Sequence, residues 1–211
     1  MKLFISLGTL LFAFSFCNLS ERLKQMQNST SSDSNSAANS SNSSSTGDKV
    51  DRPKLSDRQQ FILDNADEIK WDDQNILWKL PKGWAKMNVK KESFNYGSPQ
   101  TGFLIGTISV MPAGFPSDTS LKATYDSSLE QLKNGKYENA RYLEIDGVKG
   151  VEWIEVMPED KSGARRHQWI AFRNYQGQNQ QINIIISTKG SEFEKQRDTF
   201  AAILYSMKIG K

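Results

Sequence analysis

Residues 137–187 read YENARYLEIDGVKGVEWIEVMPEDKSGARRHQWIAFRNYQGQNQQINIIIS. Four runs rich in β-branched and aromatic residues stand out: Tyr137 to Ile145, Val148 to Met157, Arg165 to Tyr175 and Gln180 to Ser187. Each junction between them carries turn chemistry. Asp146-Gly147 is a tight hairpin signal, Pro158 to Gly163 a longer loop, and Gln176-Gly177-Gln178 a short one. In the last run Ile182, Ile184 and Ile186 alternate with Gln181, Asn183 and Ile185, as in a strand with one face turned inward. Four consecutive strands joined by short turns predict an antiparallel meander.

Working outward, Ser191 with Glu194 reads as a capping box opening a last helix whose stripe is Phe193, Phe200, Ile203 and Leu204. Ser206 to Ile209 adds a short edge strand. Upstream, helical spacing of Leu121, Tyr125, Leu129 and Leu132 predicts a helix from Asp118 or Thr119 to Asn134, ended near Gly135. Strands are expected at Asn75 to Leu80 and Phe103 to Met111, with Trp84 to Val89 returning after the Pro81-Lys82-Gly83 turn. Ser56 and Gln59 mark a capping box for a lead-in helix over residues 56–70, with Phe61, Ile62, Ala66 and Ile69 on one face. The sum is α+β: an antiparallel β-sheet flanked by helices.

The N-terminal quarter reads differently. Lys2 precedes an apolar run from Leu3 to Phe16, the n-region and h-region of a secretory signal over residues 1–16. That run is short of the roughly 20 residues needed to cross a bilayer. Cys17, the single cysteine, follows directly and is the expected lipid-attachment residue of a bacterial lipoprotein. Phe14-Ser15-Phe16-Cys17 stands where a lipobox would. It resembles the looser spirochaete-type form, since Phe16 is bulky where the peptidase prefers a small residue. Cleavage after Ala13-Phe14-Ser15, leaving Cys17 as a free thiol, is the alternative. A lone cysteine cannot form a disulfide within the chain. Asn28 to Gly47 is almost wholly Ser, Asn, Thr and Ala, a composition expected to stay disordered. Twenty such residues have a root-mean-square reach of roughly 25 Å. Residues 17–55 therefore read as anchor and tether, and 71–211 as one globular domain.

The formal charge is +3, and basic and acidic residues are interspersed, with no basic stripe of the kind nucleic acid requires. Nucleic acid is excluded as a partner. The chain has no Gly-x-Ser-x-Gly, His-Glu-x-x-His or Walker sequence. His167 is the single histidine, too little for a zinc site, and it reads as a partly exposed strand residue in a basic patch. Glu152 and Glu155 are three apart on a strand and should face opposite ways. Gly147 to Gly150 does not open a helix and reads as a hairpin rather than a phosphate loop. No catalytic residue, metal ligand or cofactor is expected.

The order Leu80-Pro81-Lys82-Gly83-Trp84, a strand, a helix, Leu143-Glu144-Ile145-Asp146-Gly147, further strands, and a closing Phe200 to Lys208 resembles the Mog1/PsbP-like superfamily over residues 72–210. That resemblance implies an α/β/α sandwich, usually without catalysis. It also implies a protein-binding or accessory role, as in a Ran GTPase-binding factor, a photosystem subunit and bacterial lipoproteins. It transfers no site residue. The residues themselves point to Arg165, His167 and Trp169, across from Trp153 and Glu155, as a protein-binding patch, because Arg and Trp dominate hot spots. Helices over both faces would instead put Trp153 and Trp169 in the core, the commoner fate of such residues. The expected function is a cell-envelope lipoprotein, held to a bacterial membrane by its lipid, whose domain engages an envelope protein. A small-ligand carrier or enzyme with a sheet–helix pocket is the alternative from another class, and a structural envelope component a third.

Overall fold

The computed structural model describes residues 49–210. Cys17 and the Asn28 to Gly47 tract lie outside them. In chain order the elements are β1 (Val50–Asp51), α1 (Asp57–Asp64), β2 (Asp67–Trp71), a 3-10 turn (Asp72–Gln74), β3 (Ile76–Leu80), β4 (Ala85–Lys90), β5 (Ser93–Ser98), β6 (Gly102–Val110), α2 (Ser117–Lys133), β7 (Tyr137–Ile145), β8 (Val148–Glu155), β9 (Ala164–Tyr175), β10 (Gln178–Lys189), α3 (Gly190–Tyr205) and β11 (Lys208–Ile209). Eight strands form one sheet in the order β1-β7-β8-β9-β10-β6-β5-β4, and three form a second, β11-β3-β2. The large sheet is antiparallel except where β1 joins β7 in parallel.

The meander from β7 to β10 follows from its turns. Asp146 and Gly147 both take positive φ (50° and 81°), as do Gln176 and Gly177 (52° and 75°). That is the type I′ geometry whose twist matches two antiparallel strands. Alternation then divides every side chain between two faces. One face carries Ile182, Ile184, Ile186, Leu104, Leu143 and Trp169, all fully buried, against Phe193, Phe200, Ile203 and Leu204 of α3. Each fully buried aliphatic of this kind is worth about 1.5–3 kcal/mol. The small sheet lies on the same face, where Trp78 stacks on Phe94 with centroids 4.6 Å apart. The opposite face carries Tyr142, Val151 and Trp153 beneath Leu121 of α2. Helices therefore flank both sides, in the expected α/β/α arrangement.

Several expectations are corrected. The lead-in helix stops at Asp64 rather than Lys70. The segment Asp67–Trp71 alternates with period two, Ile69 half-buried and Trp71 buried, and pairs with β3 as a strand. The Ser56–Gln59 capping box is present, but Phe61 is 71% exposed and Leu63 is the buried residue of α1. Val50 and Asp51 pair with Tyr142 and Leu143, so the folded part begins ahead of residue 56. Trp84 to Val89 does not return on β3; the Pro81–Gly83 turn carries the chain across to the edge of the large sheet, and β5, which was not anticipated, pairs with β4 there. Ser191 does not cap the last helix. The helix begins at Gly190 with no side-chain cap, and the Ser191 amide donates to the Lys161 carbonyl, 3.0 Å away.

Gly150 marks a close approach on the α3 face. A Cβ there would lie 2.4 Å from the Trp169 indole and 2.7 Å from the Ile170 carbonyl oxygen. The indole is itself pinned by its Nε1 donating to the Leu143 carbonyl at 3.1 Å. Gly150→Ala is expected to destabilise the fold by about 1–3 kcal/mol through overpacking, whereas a Cβ at Gly163 would be 3.6 Å or more from any side chain and would press only on the Asp160 carbonyl. Thermal melts of the two variants check this, with roughly 2–4 °C expected per kcal/mol.

Candidate functional site

The α3 face holds a buried polar cluster. β8 turns Glu152 inward, and β9 places His167 beside it with Nε2 2.7 Å from Oε1. Arg141 of β7 donates to Glu152 Oε2 at 2.6 Å, and the Tyr205 hydroxyl, at the end of α3, donates to Oε1 at 2.8 Å. Arg141 also donates to the Tyr205 oxygen at 2.9 Å. Glu152 and His167 are 0% and 2% exposed. Burial opposes the Glu152 charge most strongly, but His167 and then Arg141 outweigh it and hold its pKa down to about 2. Burial, followed by the Glu152 charge, pushes the Tyr205 phenol well above its ordinary range. A carboxylate held ionised and a phenol held protonated are poor partners for proton transfer near neutrality. What the cluster does is lock the end of α3 onto three strands.

Arg165 performs a similar task at the other end of the helix. Its Nε donates to the Glu155 carbonyl at 2.7 Å, its Nη1 to Glu194 of α3 at 2.6 Å, and its Nη2 to Glu138 of β7. Its guanidinium lies 4.3 Å from the Phe193 ring centroid. Arg197 joins Glu138 and Glu194 from the helix. The hydrogen bond from Arg197, against a burial cost and with help from Arg165, holds Glu194 down to about 2.

The patch expected at Arg165, His167, Trp169, Trp153 and Glu155 is therefore divided. Arg165, His167 and Trp169 are 1%, 2% and 0% exposed on the α3 face, so His167 is not the partly exposed residue of a basic patch. Trp153 and Glu155 face the other way. There they meet residues that the sequence did not single out. Tyr137 stacks on Trp153 with centroids 5.6 Å apart, and Arg166 donates to Glu155 through Nη1 at 2.9 Å and its backbone amide at 3.1 Å. Burial, then Glu155, raises the Tyr137 phenol above its usual range. Two open depressions adjoin at Tyr137. One, about 400 Å³, lies between α2 and Trp153. The other, about 590 Å³, is bounded by Lys136, Glu155, Met157 and Arg166. Together they form a groove beside the second half of α2. The signal for Arg166 was its alternation with Arg165; reading it required the register of β8 on β9.

Among the described residues no group of three His, Cys, Asp or Glu could hold a metal ion, and no helix is long and apolar enough to cross a membrane. The Glu152 cluster yields a pH prediction. Its folded pKa, about 2, lies below the ordinary 4.5, so its contribution is complete above the unfolded value and disappears as pH falls toward 2. That contribution is on the order of 3 kcal/mol. Glu152→Gln is expected to lower stability at pH 7 and to flatten the acid limb between about pH 4.5 and 2, as measured by urea unfolding across that range.

No family model and no curated protein matches the chain. Among solved structures, it is similar to cyanobacterial PsbP (CyanoP) from Synechocystis sp., at 14% identity and TM-score 0.43, over 69% of this chain and 94% of that one. It is similar to the Ran-binding protein Mog1p of Saccharomyces cerevisiae, at 13% identity and TM-score 0.39, over 69% and 95%. A protein from Bacteroides thetaiotaomicron matches at 14% identity and TM-score 0.42, over 64% of this chain; the match spans 45% of that protein's own length. A PsbP protein and Mog1p are the two groups that the sequence resemblance named. The likeness is one of fold, and no partner, ligand or activity is carried over from it.

Proposed function

We propose that this chain is a lipid-anchored protein of a bacterial cell envelope whose domain binds an envelope protein and catalyses no reaction. The observation that carries the binding role is the groove on the α2 face. It brings together an aromatic stack, Arg166 and the 38%-exposed Met157, residue types enriched where protein interfaces concentrate their energy. Arg166 is held in a fixed pose by Glu155, which lowers the entropy lost when a partner docks. The reading without catalysis is supported by the Glu152 cluster, whose groups are committed to one another and line neither depression. The anchor rests on the sequence: Lys2, the apolar run to Phe16 and Cys17 in succession.

Two measurements test the two halves. Cys17→Ser is expected to move the protein out of the membrane fraction and to remove the mass of the lipid; a variant that stays in that fraction at unchanged mass overturns the anchor. Cross-linking from intact envelopes, with residues 1–55 alone as control, is expected to capture a reproducible protein. Arg166→Ala with Met157→Asp should weaken that capture by about tenfold or more, roughly 1.4 kcal/mol. Capture at full strength by the double variant would remove the groove from consideration.

A further inference from the structure

β1 fixes where the N-terminal chain leaves the domain. Val50 and Asp51 lie beside Tyr142 and Leu143 of β7 in parallel register. Asp51 is 3.4 Å from Arg141 and Arg52 is 2.9 Å from Glu144, so charge as well as pairing holds the strand in place. Followed back from Asp51 to Lys49, it heads toward the start of β7. Tyr137 stands there, where the two depressions of the α2-face groove meet, roughly 17 Å along the strand from Tyr142. The exit strand therefore points the N-terminal chain at the groove.

What that chain carries matches the groove. Along α2 the groove is walled by the small side chains of Ala123, Thr124 and Ser127, opposite Trp153, which leaves room for larger apolar ones. At the other depression Lys136 and Glu159 make no ion pair among the described residues. From Asn28 to Lys49 the chain holds no apolar side chain larger than alanine. Between Cys17 and Val50 the large apolar residues are Leu19, Leu23 and Met26. Their spacing of four and three puts them on one helical face, with Glu21, Arg22 and Lys24 off that stripe to meet charges of either sign.

We infer that the segment from Leu19 to Met26 is the resting occupant of the α2-face groove, which an envelope protein must displace in order to bind. The inference rests on the reading of that groove as a docking site and names its regulation. The stretch of about 24 residues from Met26 to Val50 has a root-mean-square reach of about 27 Å, more than the distance it has to cover. Such a linker sets an effective concentration on the order of 1 mM. A contact with a dissociation constant of about 0.1 mM for the free segment then fills the groove about nine-tenths of the time. A second copy or a foreign peptide has no such advantage and must bind about tenfold more tightly to compensate. The segment comes with every molecule, and its exit strand is already aimed.

The test is cross-linking of the full-length chain, as the cell processes it, with an amine-reactive suberate linker and mass spectrometry of the products. Lys24 is expected to join Lys136 about fivefold more often in the wild-type chain than in Leu23→Ser with Met26→Ser, whose linker has the same length. Arg166→Ala with Met157→Asp should lose the excess in the same way. The segment variant should also bind the envelope protein about tenfold more tightly, because its groove is free. Equal yields of the Lys24–Lys136 product in the wild-type chain and the segment variant overturn the proposal. So does an excess confined to links between isotope-labelled and unlabelled copies, since a second copy is then the occupant, and so does envelope capture that the segment variant leaves unchanged. The two readings fail separately. Capture that depends on Arg166 and Met157 without any Lys24–Lys136 excess keeps the groove and removes the segment. The excess without capture by any variant keeps the segment in the groove and removes the envelope protein.

Discussion

The fold turns on one buried carboxylate. Removing Glu152 from water costs several kcal/mol, and leaving it there without partners would cost more than most single interactions return. It is tolerated because His167, Arg141 and Tyr205 converge on its two oxygens, from β9, β7 and α3. A group that needs partners from three elements can be satisfied only when all three are in place. The cluster therefore specifies where α3 lies, and α3 in turn closes the core over Ile182, Ile184 and Ile186. Arg165, bonded to Glu138, Glu194 and the Glu155 carbonyl, fixes the other end of the same helix.

Topology explains why the opposite face is only half covered. β6 and β7 are separated in the sheet by β10, β9 and β8, and successive antiparallel pairings make them run the same way. A connection between two strands running the same way must cross the sheet, and a helix is the usual means. α2 makes that crossing and comes to rest on the β7 side. No second helix follows on that face, because the chain after β7 runs through hairpins until β10, and α3 then folds to the other side. The open half-sheet is a consequence of having one crossover to cover eight strands.

Much of this was legible in the residues. The four meander strands, the Asp146-Gly147 turn, α2 and the stripe of α3 all follow from local chemistry, since period, turn residues and apolar spacing are decided within a few positions. The misreadings share a cause. Ile69 fits a helical stripe and a strand alternation equally well, and its pairing with Trp78 on the next strand decides between them. Ser191 and Glu194 form a capping box on paper, but Glu194 is taken up by Arg197 on the same helix and by Arg165 from β9, and no local pattern displays the second. The candidate patch failed in the same way. Alternation along β9 puts Arg165, His167 and Trp169 on one face and Arg166 on the other. Which of those faces Trp153 and Glu155 share depends on register. β8 pairs Trp153 with Gln168 and Glu152 with Trp169, and a slip of one residue would exchange the faces.

That division also sorts the chemistry of the chain. The residue types usually associated with catalysis or recognition, the lone histidine, a buried glutamate and two arginines, lie on the face that α3 closes. There Glu152 is held by His167, Arg141 and Tyr205, and Arg165 by Glu138, Glu194 and the Glu155 carbonyl. Substitutions at Arg165 or His167 would change binding only by loosening the helix, and a loss of function there would report on stability. The opposite face has the converse character. Tyr137, Arg166, Phe103 and Asn183 contribute little to the main core, and their side chains reach solvent along surfaces that one helix leaves uncovered. Separating the strongly paired charges from the accessible surface lets the first set the shape of the domain while the second varies with the ligand. An Arg-for-Arg comparison makes the point: Arg165 and Arg166 are neighbours in sequence, one 1% and the other 47% exposed at the side chain, and only the second is placed to meet another molecule.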